Sequence, residues 1–492
     1  MGGWGVASVV AMLTSLIAGL AAGRAHAEEP PAEPTGRAFV AAIEESLAAA
    51  IARCEPSVVS IARVKRPVDG QAFAPDGGDD AFARAFSGIA APQPDDPNFI
   101  PNEFGTGVVI DGDGLILTCY HVIREDSDHW VTLQDRRVYP ARIVAADPRS
   151  DLAVLRIDVK GLSPIPFGDG SKARKGQIVL ALGNPYAIAR DGQVSASWGI
   201  VSNLGRKSPA PAVVTESTGS LHQYGTLIQT DARLDLGASG GPLINIAGEM
   251  IGLTTSLAAL SGHETHAGFA IPVDDVFRRA VETMKPGREV EYGLLGVVPE
   301  NLTPSDRADG LTGVVVSAVS EGTPAAKSGL QSADWITALD GKAIRDTDDL
   351  MLKLGEKKAG EQIQLTVRRL RETFDAPVTL AKFYVKDWKF ASLPPRTWRG
   401  MTVDYCNAVR GNNVFEDFGA VMNTGCVVAT AVEEGSPAWI AGFRRGDFIG
   451  RVEEAAISSP DDFFAAATAH SGPVTLHVPA TDADAVSRTV LP

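Results

Sequence analysis

The chain has 492 residues, of which 45% are hydrophobic and 21% charged, and a formal net charge of −15. At roughly 150 residues per domain this length calls for about three domains rather than one core, and the hydrophobic share excludes wholesale disorder. The acidic balance opposes the phosphate backbone, whose binding needs a cationic face, so no nucleic acid is expected as a partner.

No acidic or basic side chain precedes Arg24, and the apolar run Val6 to Ala22 leads to Ala25-His26-Ala27. Residues 1–27 are therefore expected to be a secretory signal peptide with an A-x-A cleavage site, although no Lys or Arg precedes the apolar run. The alternative is an uncleaved membrane anchor over residues 4–23, close to the ~20 residues that span a bilayer. Both readings place the rest in the periplasm or otherwise outside the cytoplasm. Residues 28–37 are Pro- and Glu-rich, as in a disordered leader. Phe39, Ile43, Leu47 and Ile51 then recur at helical spacing, predicting an amphipathic helix from Ala38 to Arg53 that feeds a strand at Ser57 to Val64. Residues 66–102 hold Pro, Gly and Asp clusters without periodicity, a long loop whose Phe73, Phe82, Phe86 and Phe99 suit either a subunit contact or cover for their own domain. From Phe104 to Pro272, short β-branched runs alternate with Gly, Asp, Asn and Pro. GVVIDGDGLILT and VTLQDRRVYPARIVAAD each predict two strands joined by a tight turn, and an all-β barrel or sandwich follows.

The last 200 or so residues repeat themselves. Gly313 to Ile344 matches Gly425 to Ile457, with Gly329, Asp334 and Ile336 aligned on Gly442, Asp447 and Ile449. Two related globular modules are the economical explanation. In each, a strand leads to Thr-Pro-Ala or Ser-Pro-Ala, a helix start with its cap and first-turn Pro, and a Gly ends the helix. The Pro-bearing segment between them, around Phe390 to Thr397, is expected to be a linker. Cys406 and Cys426 fall in one module and could bridge in an oxidising compartment; two buried free thiols are the other reading.

Chemistry is concentrated at three places. Gly237-Ala238-Ser239-Gly240-Gly241-Pro242 gives a hydroxyl the open backbone that a nucleophile needs, because glycines let a substrate carbonyl approach and let N–H groups point at the developing oxyanion. His121 closes the run Leu115 to Tyr120, where an imidazole can take the Ser proton and return it to the leaving amine. Asp151 opens a strand at Asp151 to Ile157, placed to orient the imidazole and stabilise its charged form. Cys119 sits in a strand and is expected to be a core thiol rather than a nucleophile. His263 and His266 lack further ligands at metal-binding spacing, so a surface loop near the cleft is expected there, with no metal and no cofactor.

In GTGVVIDGDGLILTCYHVI (105–123), SDLAVLRID (150–158), LALGNPYAI (180–188), WGIVSNLGR (198–206), LIQTDARLDLGASGGPLINIAGEMIGL (227–253) and GFAIP (268–272), the sequence resembles the HtrA/Deg family of trypsin-fold serine proteases with two C-terminal PDZ domains. The resemblance implies a mainly β fold: a chymotrypsin-like double β-barrel protease domain over 38–285, PDZ-like α+β domains over 290–385 and 398–490, and a linker at 386–397. It implies the triad His121, Asp151 and Ser239 in the cleft between the barrels and an oxyanion hole from the N–H groups of Gly237 and Ser239. It also implies a carboxylate-binding loop at Tyr292 to Val297, with Leu294, Leu295 and Gly296 facing a peptide end; Arg399 to Val403 is a weaker version in the second module. The family usually has Asn, Ala and Asn where Ala238, Arg233 and Asp235 stand; Arg233 and Asp235 fall where the loop lining the primary specificity pocket begins, so either they alter the family's preference for small aliphatic residues before the cut or they pair with each other at the rim. The expected activity is that of an ATP-independent serine endopeptidase of extracytoplasmic protein quality control, acting on unfolded or misfolded polypeptides and on C-terminal peptides through an acyl-enzyme. The resemblance further implies a homo-oligomer, a trimer or a multiple of it. A non-proteolytic peptide-binding scaffold or holdase is the alternative.

Overall fold

The computed structural model describes residues 36–66, 103–184, 193–207, 220–255, 267–385, 388–409, 425–479 and 486–492. The expected signal peptide, the Phe-bearing stretch at 67–102 and the loop with His263 and His266 lie outside these residues. The chain divides into two units, Met1–Ala48 and Ala49–Pro492. Helix α1 (Gly36–Cys54) starts in the first and ends in the second. No helix among the described residues is long and apolar enough to cross a membrane.

Six strands close the first barrel: β1 (Val58–Lys65), β2 (Glu103–Val109), β3 (Leu115–Cys119), β4 (Ser127–Thr132), β5 (Val138–Asp147) and β6 (Leu152–Arg156), in the order β5-β4-β1-β2-β3-β6 with β5 pairing back to β6. The β2–β3 hairpin is tightened by Asp111, whose carboxylate accepts from the backbone N–H groups of Asp113 and Leu115. A bulge between Ile143 and Ala145 bends β5, so its first half pairs with β4 and its second half with β6; such bulges turn a strand around a barrel corner. The second barrel closes in the order β10-β11-β12-β9-β8-β7, from β7 (Ile178–Gly183), β8 (Ser195–Arg206), β9 (Leu227–Thr230), β10 (Pro242–Ile244), β11 (Met250–Thr255) and β12 (Gly268–Pro272). Val179, Val201, Ile228, Leu243 and Ala270 fill it. Helix α2 (Asp275–Met284), capped by Asp274, buries Phe277, Ala280, Val281 and Met284.

Next comes an α+β module. Strands β13 (Gly293–Leu294), β14 (Val297–Asn301), β15 (Val314–Val319), β16 (Trp335–Leu339), β17 (Lys342–Ala343), β18 (Gln362–Arg369), β19 (Glu372–Thr379) and β20 (Ala381–Lys382) flank helices α3 (Pro304–Ala308), α4 (Pro324–Lys327) and α5 (Thr347–Gly355). Its main sheet runs β14-β15-β16-β18-β19, while β13 leaves it to pair with β20. The segment expected as a linker carries β21 (Phe390–Ala391), which adds to β5 of the first barrel at Ala145 and Ala146. The C-terminal module holds two four-stranded sheets. One is built from β22 (Thr397–Trp398), β23 (Met401–Tyr405), β24 (Val427–Val432) and β25 (Phe448–Ile449), the other from β26 (Arg451–Val452), β27 (Ala455–Ala456), β28 (Val474–Val478) and β29 (Val486–Val490). Helices α6 (Pro437–Ile440) and α7 (Pro460–Thr468) complete it. The repeated helix starts form as their sequences dictate: Thr323 caps α4 and Ser436 caps α6, each followed by Pro.

Candidate active site

The imidazole and the carboxylate come from the first barrel and the hydroxyl from the second. Strand β3 ends at Cys119 and runs into a tight turn, Tyr120–Val122, that turns out His121. Asp151 stands between β5 and β6 at φ 55, a left-handed conformation costing about 1 kcal/mol for a residue with a β-carbon. Its carbonyl accepts from Tyr120 N–H at 2.9 Å, tying the two turns together. The His121 Nδ1 lies 3.0 and 2.9 Å from the two carboxylate oxygens of Asp151, and the His121 backbone N–H donates to the same carboxylate at 3.1 Å. A carboxylate only accepts, so Nδ1 carries the proton and the Nε2 lone pair is left for another donor. Burial alone would raise the Asp151 carboxyl, but the charge and hydrogen bonds of His121, with a smaller share from His222, hold it below its ordinary 3.8.

Ser239 is 6% exposed and lies in the turn that leads into β10. Gly237 and Gly240 on either side take φ 94 and 87. A β-carbon on Gly240 would also come within 2.1 Å of Thr106 O, so the glycines are required by conformation and by space. Thr106 of β2 is the strut between the barrels. Its N–H donates to Ser239 O at 2.9 Å, its hydroxyl donates to Gly237 O at 2.7 Å, and that hydroxyl also accepts from Asn184 N–H at 3.0 Å. A β-carbon on the neighbouring Gly105 would meet Val122 Cγ1 at 2.6 Å and Ser239 O at 3.4 Å. The turns bearing His121 and Ser239 therefore meet at the Gly105-Thr106 pair.

Cys119 is fully buried and donates to Thr254 O at 3.4 Å; burial, with the Asp151 charge, pushes its thiol well above the ordinary range. It stays protonated, as expected of a core cysteine. The ligand atoms of Cys119, His121 and Asp151 lie within 4.8 Å of one another, a grouping that spacing alone did not reveal. Next to Ser239 in the chain, Ala238 lines a cavity of about 210 Å³ whose walls also include Leu182, Ala196 and Leu234 with the polar Ser195, Ser197, Arg233 and Asp235. Those last two form the expected pair at 2.9 Å, and Arg233 is largely exposed.

The Asp151 turn has a buried support that the sequence did not disclose. Asp147 accepts from the Ser150 N–H at 3.1 Å, from the Ser150 hydroxyl and from Tyr292 Oη. Arg149, also buried, lies 3.8 Å from the Phe383 ring centroid and 5.0 Å from that of Tyr292. His222 closes the other side, with Nε2 3.0 Å from Ser150 O and Nδ1 2.9 Å from Thr226 Oγ1. A carbonyl only accepts, so Nε2 carries the hydrogen, and burial lowers the pKa of this imidazole. Tyr292, the first residue of the predicted carboxylate loop, thus points into the protease. Leu295 is in the core of its module, Leu294 packs against Cys426, and Gly296 takes φ 87 beneath Thr323.

Two antiparallel barrels with a His–Asp pair at the edge of one and a Gly-flanked Ser at the edge of the other define a trypsin-fold serine peptidase. A Trypsin-like peptidase domain model matches residues 105–253 and a PDZ domain model matches residues 293–380. The chain is 32% identical over 427 residues to a probable periplasmic serine endoprotease DegP-like of Pseudomonas fluorescens, covering 84% of this chain and 86% of the relative. It is 35% identical over 309 residues to the serine endoprotease DegS of Haemophilus influenzae, covering 62% and 84%. The solved HtrA-type protease AlgW with tripeptide matches at a TM-score of 0.52 and 28% identity, over 68% of this chain and 97% of that one. The chain belongs to the HtrA family of serine endoproteases.

Proposed function

We propose that Ser239 is the nucleophile, His121 the general base and acid, and Asp151 the group that orients the imidazole. The contact that carries this reading is His121 Nδ1 held against both oxygens of Asp151 at 3.0 and 2.9 Å. With Nδ1 so occupied, Nε2 takes the Ser239 proton as Oγ attacks the scissile carbonyl and then delivers it to the leaving amine. Water, activated by the same nitrogen, hydrolyses the acyl-enzyme. The N–H groups of Gly237 and Ser239 receive the oxyanion, in a turn that Thr106 fixes through the Gly237 and Ser239 carbonyls. The apolar walls of the adjoining cavity favour an aliphatic side chain before the cut, with the Arg233–Asp235 pair limiting its size.

Substrates in this reading are unfolded or misfolded polypeptides in an extracytoplasmic space, in line with the periplasmic naming of relatives. Their C-terminal ends are captured at Leu294, Leu295 and Gly296 and laid along β14, an edge strand of its sheet, as an added strand. Assembly is as a trimer or a multiple of it. The test is cleavage of casein together with labelling by a fluorophosphonate. The wild type is expected to cleave and to carry the label on Ser239, and Ser239→Ala to lose both. Equal residual cleavage by the variant would replace this reading with a non-proteolytic scaffold.

A further inference from the structure

Cys406 follows β23 and Cys426 precedes β24. The antiparallel register ends on the Tyr405–Val427 pair, and Cys406 and Cys426, the next residues past the two strands, pack against each other. Directly opposed residues in such a ladder have Cα atoms about 4.5–5.5 Å apart, inside the ~4.4–6.8 Å range that a disulfide spans. Both are free thiols. Cys406 is half-buried and Cys426 is buried. Around Cys426 pack Phe448 of its own module and, from the first module, Leu294 and Ala381; the ammonium of Lys327, on α4 of the first module, acts on both sulfurs. The other two cysteines each have a carbonyl acceptor within the protease domain, Gly248 O for Cys54 and Thr254 O for Cys119.

We propose that Cys406 and Cys426 are a redox-active pair that closes to a reversible disulfide at the seam between the two PDZ-type modules, against Leu294 of the first module's carboxylate loop. Cys406 is the entry point because it is the accessible member, and the neighbouring S–H donor and cation favour its thiolate, the nucleophile of exchange. Its thiolate attacks a small-molecule or protein disulfide, forms a mixed disulfide and expels one thiolate of the oxidant. Cys426 gives up its proton and attacks the Cys406 sulfur, forming the intramolecular bond and releasing the second thiolate. Two protein thiols lose two electrons and two protons, and the oxidant's disulfide becomes two thiols. The proposal does not rest on the catalytic assignment, since the sulfurs belong to a different module.

The test uses the full-length protein equilibrated in glutathione buffers of increasing disulfide fraction, quenched with a maleimide and mapped by mass spectrometry without reduction. Wild type is expected to lose two labelled thiols together and to yield a linked peptide pair containing Cys406 and Cys426, while Cys54 and Cys119 label fully once unfolded. Cys406→Ser and Cys426→Ser are each expected to abolish that linked pair, and the oxidised wild type to melt several degrees above the reduced form because the bridge constrains the unfolded chain. Binding of a fluorescent apolar peptide, followed by anisotropy, is expected to differ several-fold between oxidised and reduced wild type and not to respond to redox state in Cys406→Ser. A folded wild type that forms no such bridge at any glutathione ratio, or one whose linked peptides join other cysteines, would overturn the proposal.

Discussion

In the first PDZ-type module Ser320 N–H donates to Gly296 O at 3.2 Å and Ala325 N–H to Leu295 O at 2.9 Å. In the second, Glu433 N–H donates to Gly400 O at 2.8 Å and Ala438 N–H to Arg399 O at 3.2 Å. A β-carbon on either glycine would sit 2.2 Å from the β-carbon of the helix-capping residue, Thr323 or Ser436. The wiring of the repeat is thus conserved down to individual backbone bonds, yet the residues just ahead of each glycine go different ways. Gly293 and Leu294 leave the main sheet of their module to pair with β20, leaving β14 as an edge with Val298 51% exposed. Thr397 and Trp398 fold back on their own edge strand, pairing with Thr402 and Met401. Arg399 and Gly400 sit at φ 48 and 79, the two positive values of a tight hairpin turn, and Trp398 stands edge-on to Phe463 in the module's core. One copy therefore keeps an open edge suited to an added peptide strand, and the other covers the start of that edge with its own chain.

Their anchoring differs as well. Tyr292, four residues before Gly296, is fully buried and donates to Asp147 below the Asp151 turn; Arg396, four residues before Gly400, is exposed, paired with Asp461 and laid over Phe464. At the seam Lys382 is 5% exposed among Glu289, Glu291 and Asp404 at 3.2, 3.3 and 2.8 Å. Burial alone would lower the pKa of that ammonium, but the three carboxylates hold it well above its ordinary value.

The most severe challenge to this arrangement is Lys382→Met, which leaves Glu291 and Asp404 without their cation and Glu289 with Lys389 alone, and is expected to cost about 3–5 kcal/mol in urea unfolding at neutral pH. The loss should shrink in acid. Burial pushes the Glu289 carboxyl up, but Lys382 and Lys389 outweigh it and keep it below its ordinary 4.5. Its stabilising contribution is therefore full above that pH and disappears as pH falls through the lower folded value; a cost that stayed constant on acidification would contradict the role given to the hub. Gly296→Ala and Gly400→Ala should each destabilise by roughly 2–3 kcal/mol from strain and overlap. Only Gly296→Ala should weaken an apolar C-terminal peptide, by roughly tenfold or more in anisotropy; equal losses would mean that both edges bind. Removing the hydroxyl in Tyr292→Phe should cost about 1–2 kcal/mol and lower kcat for casein more than it raises KM, because the contact it breaks supports Asp151 rather than substrate. Smallest of all is the turn where Ala333 at φ 71 stands in place of Gly446 at φ 97: Ala333→Gly should gain, and Gly446→Ala lose, about 0.5–1 kcal/mol in thermal unfolding.

Much of the architecture was legible because it is local. Hairpins formed where alternating runs met turn residues, the repeated Thr-Pro-Ala and Ser-Pro-Ala segments started helices, and the helix expected at Ala38 to Arg53 runs Gly36–Cys54. The candidate triad could be named from three short contexts, and the His121–Asp151 contact joins two of them. Thr106 lay inside the GTG stretch, but nothing local says that its hydroxyl spans two barrels. Tyr292 opened a segment read as a peptide loop, and its inward turn depends on Asp147, far away in the chain. The strand within the expected linker depends on a free edge of β5 beside Ala145 and Ala146.

By itself the sequence determined strand and helix periodicity, turn chemistry, the caps and the duplication, since each depends on side chains a few residues apart and on backbone conformations that Gly, Pro, Asp and Thr favour locally. The tertiary structure alone decided which copy of the repeat keeps an open edge, which buried tyrosine and lysine tie the modules together, and how two barrels share one threonine. Those outcomes come from burial and from hydrogen-bond partners that distant segments supply only after the chain has closed on itself.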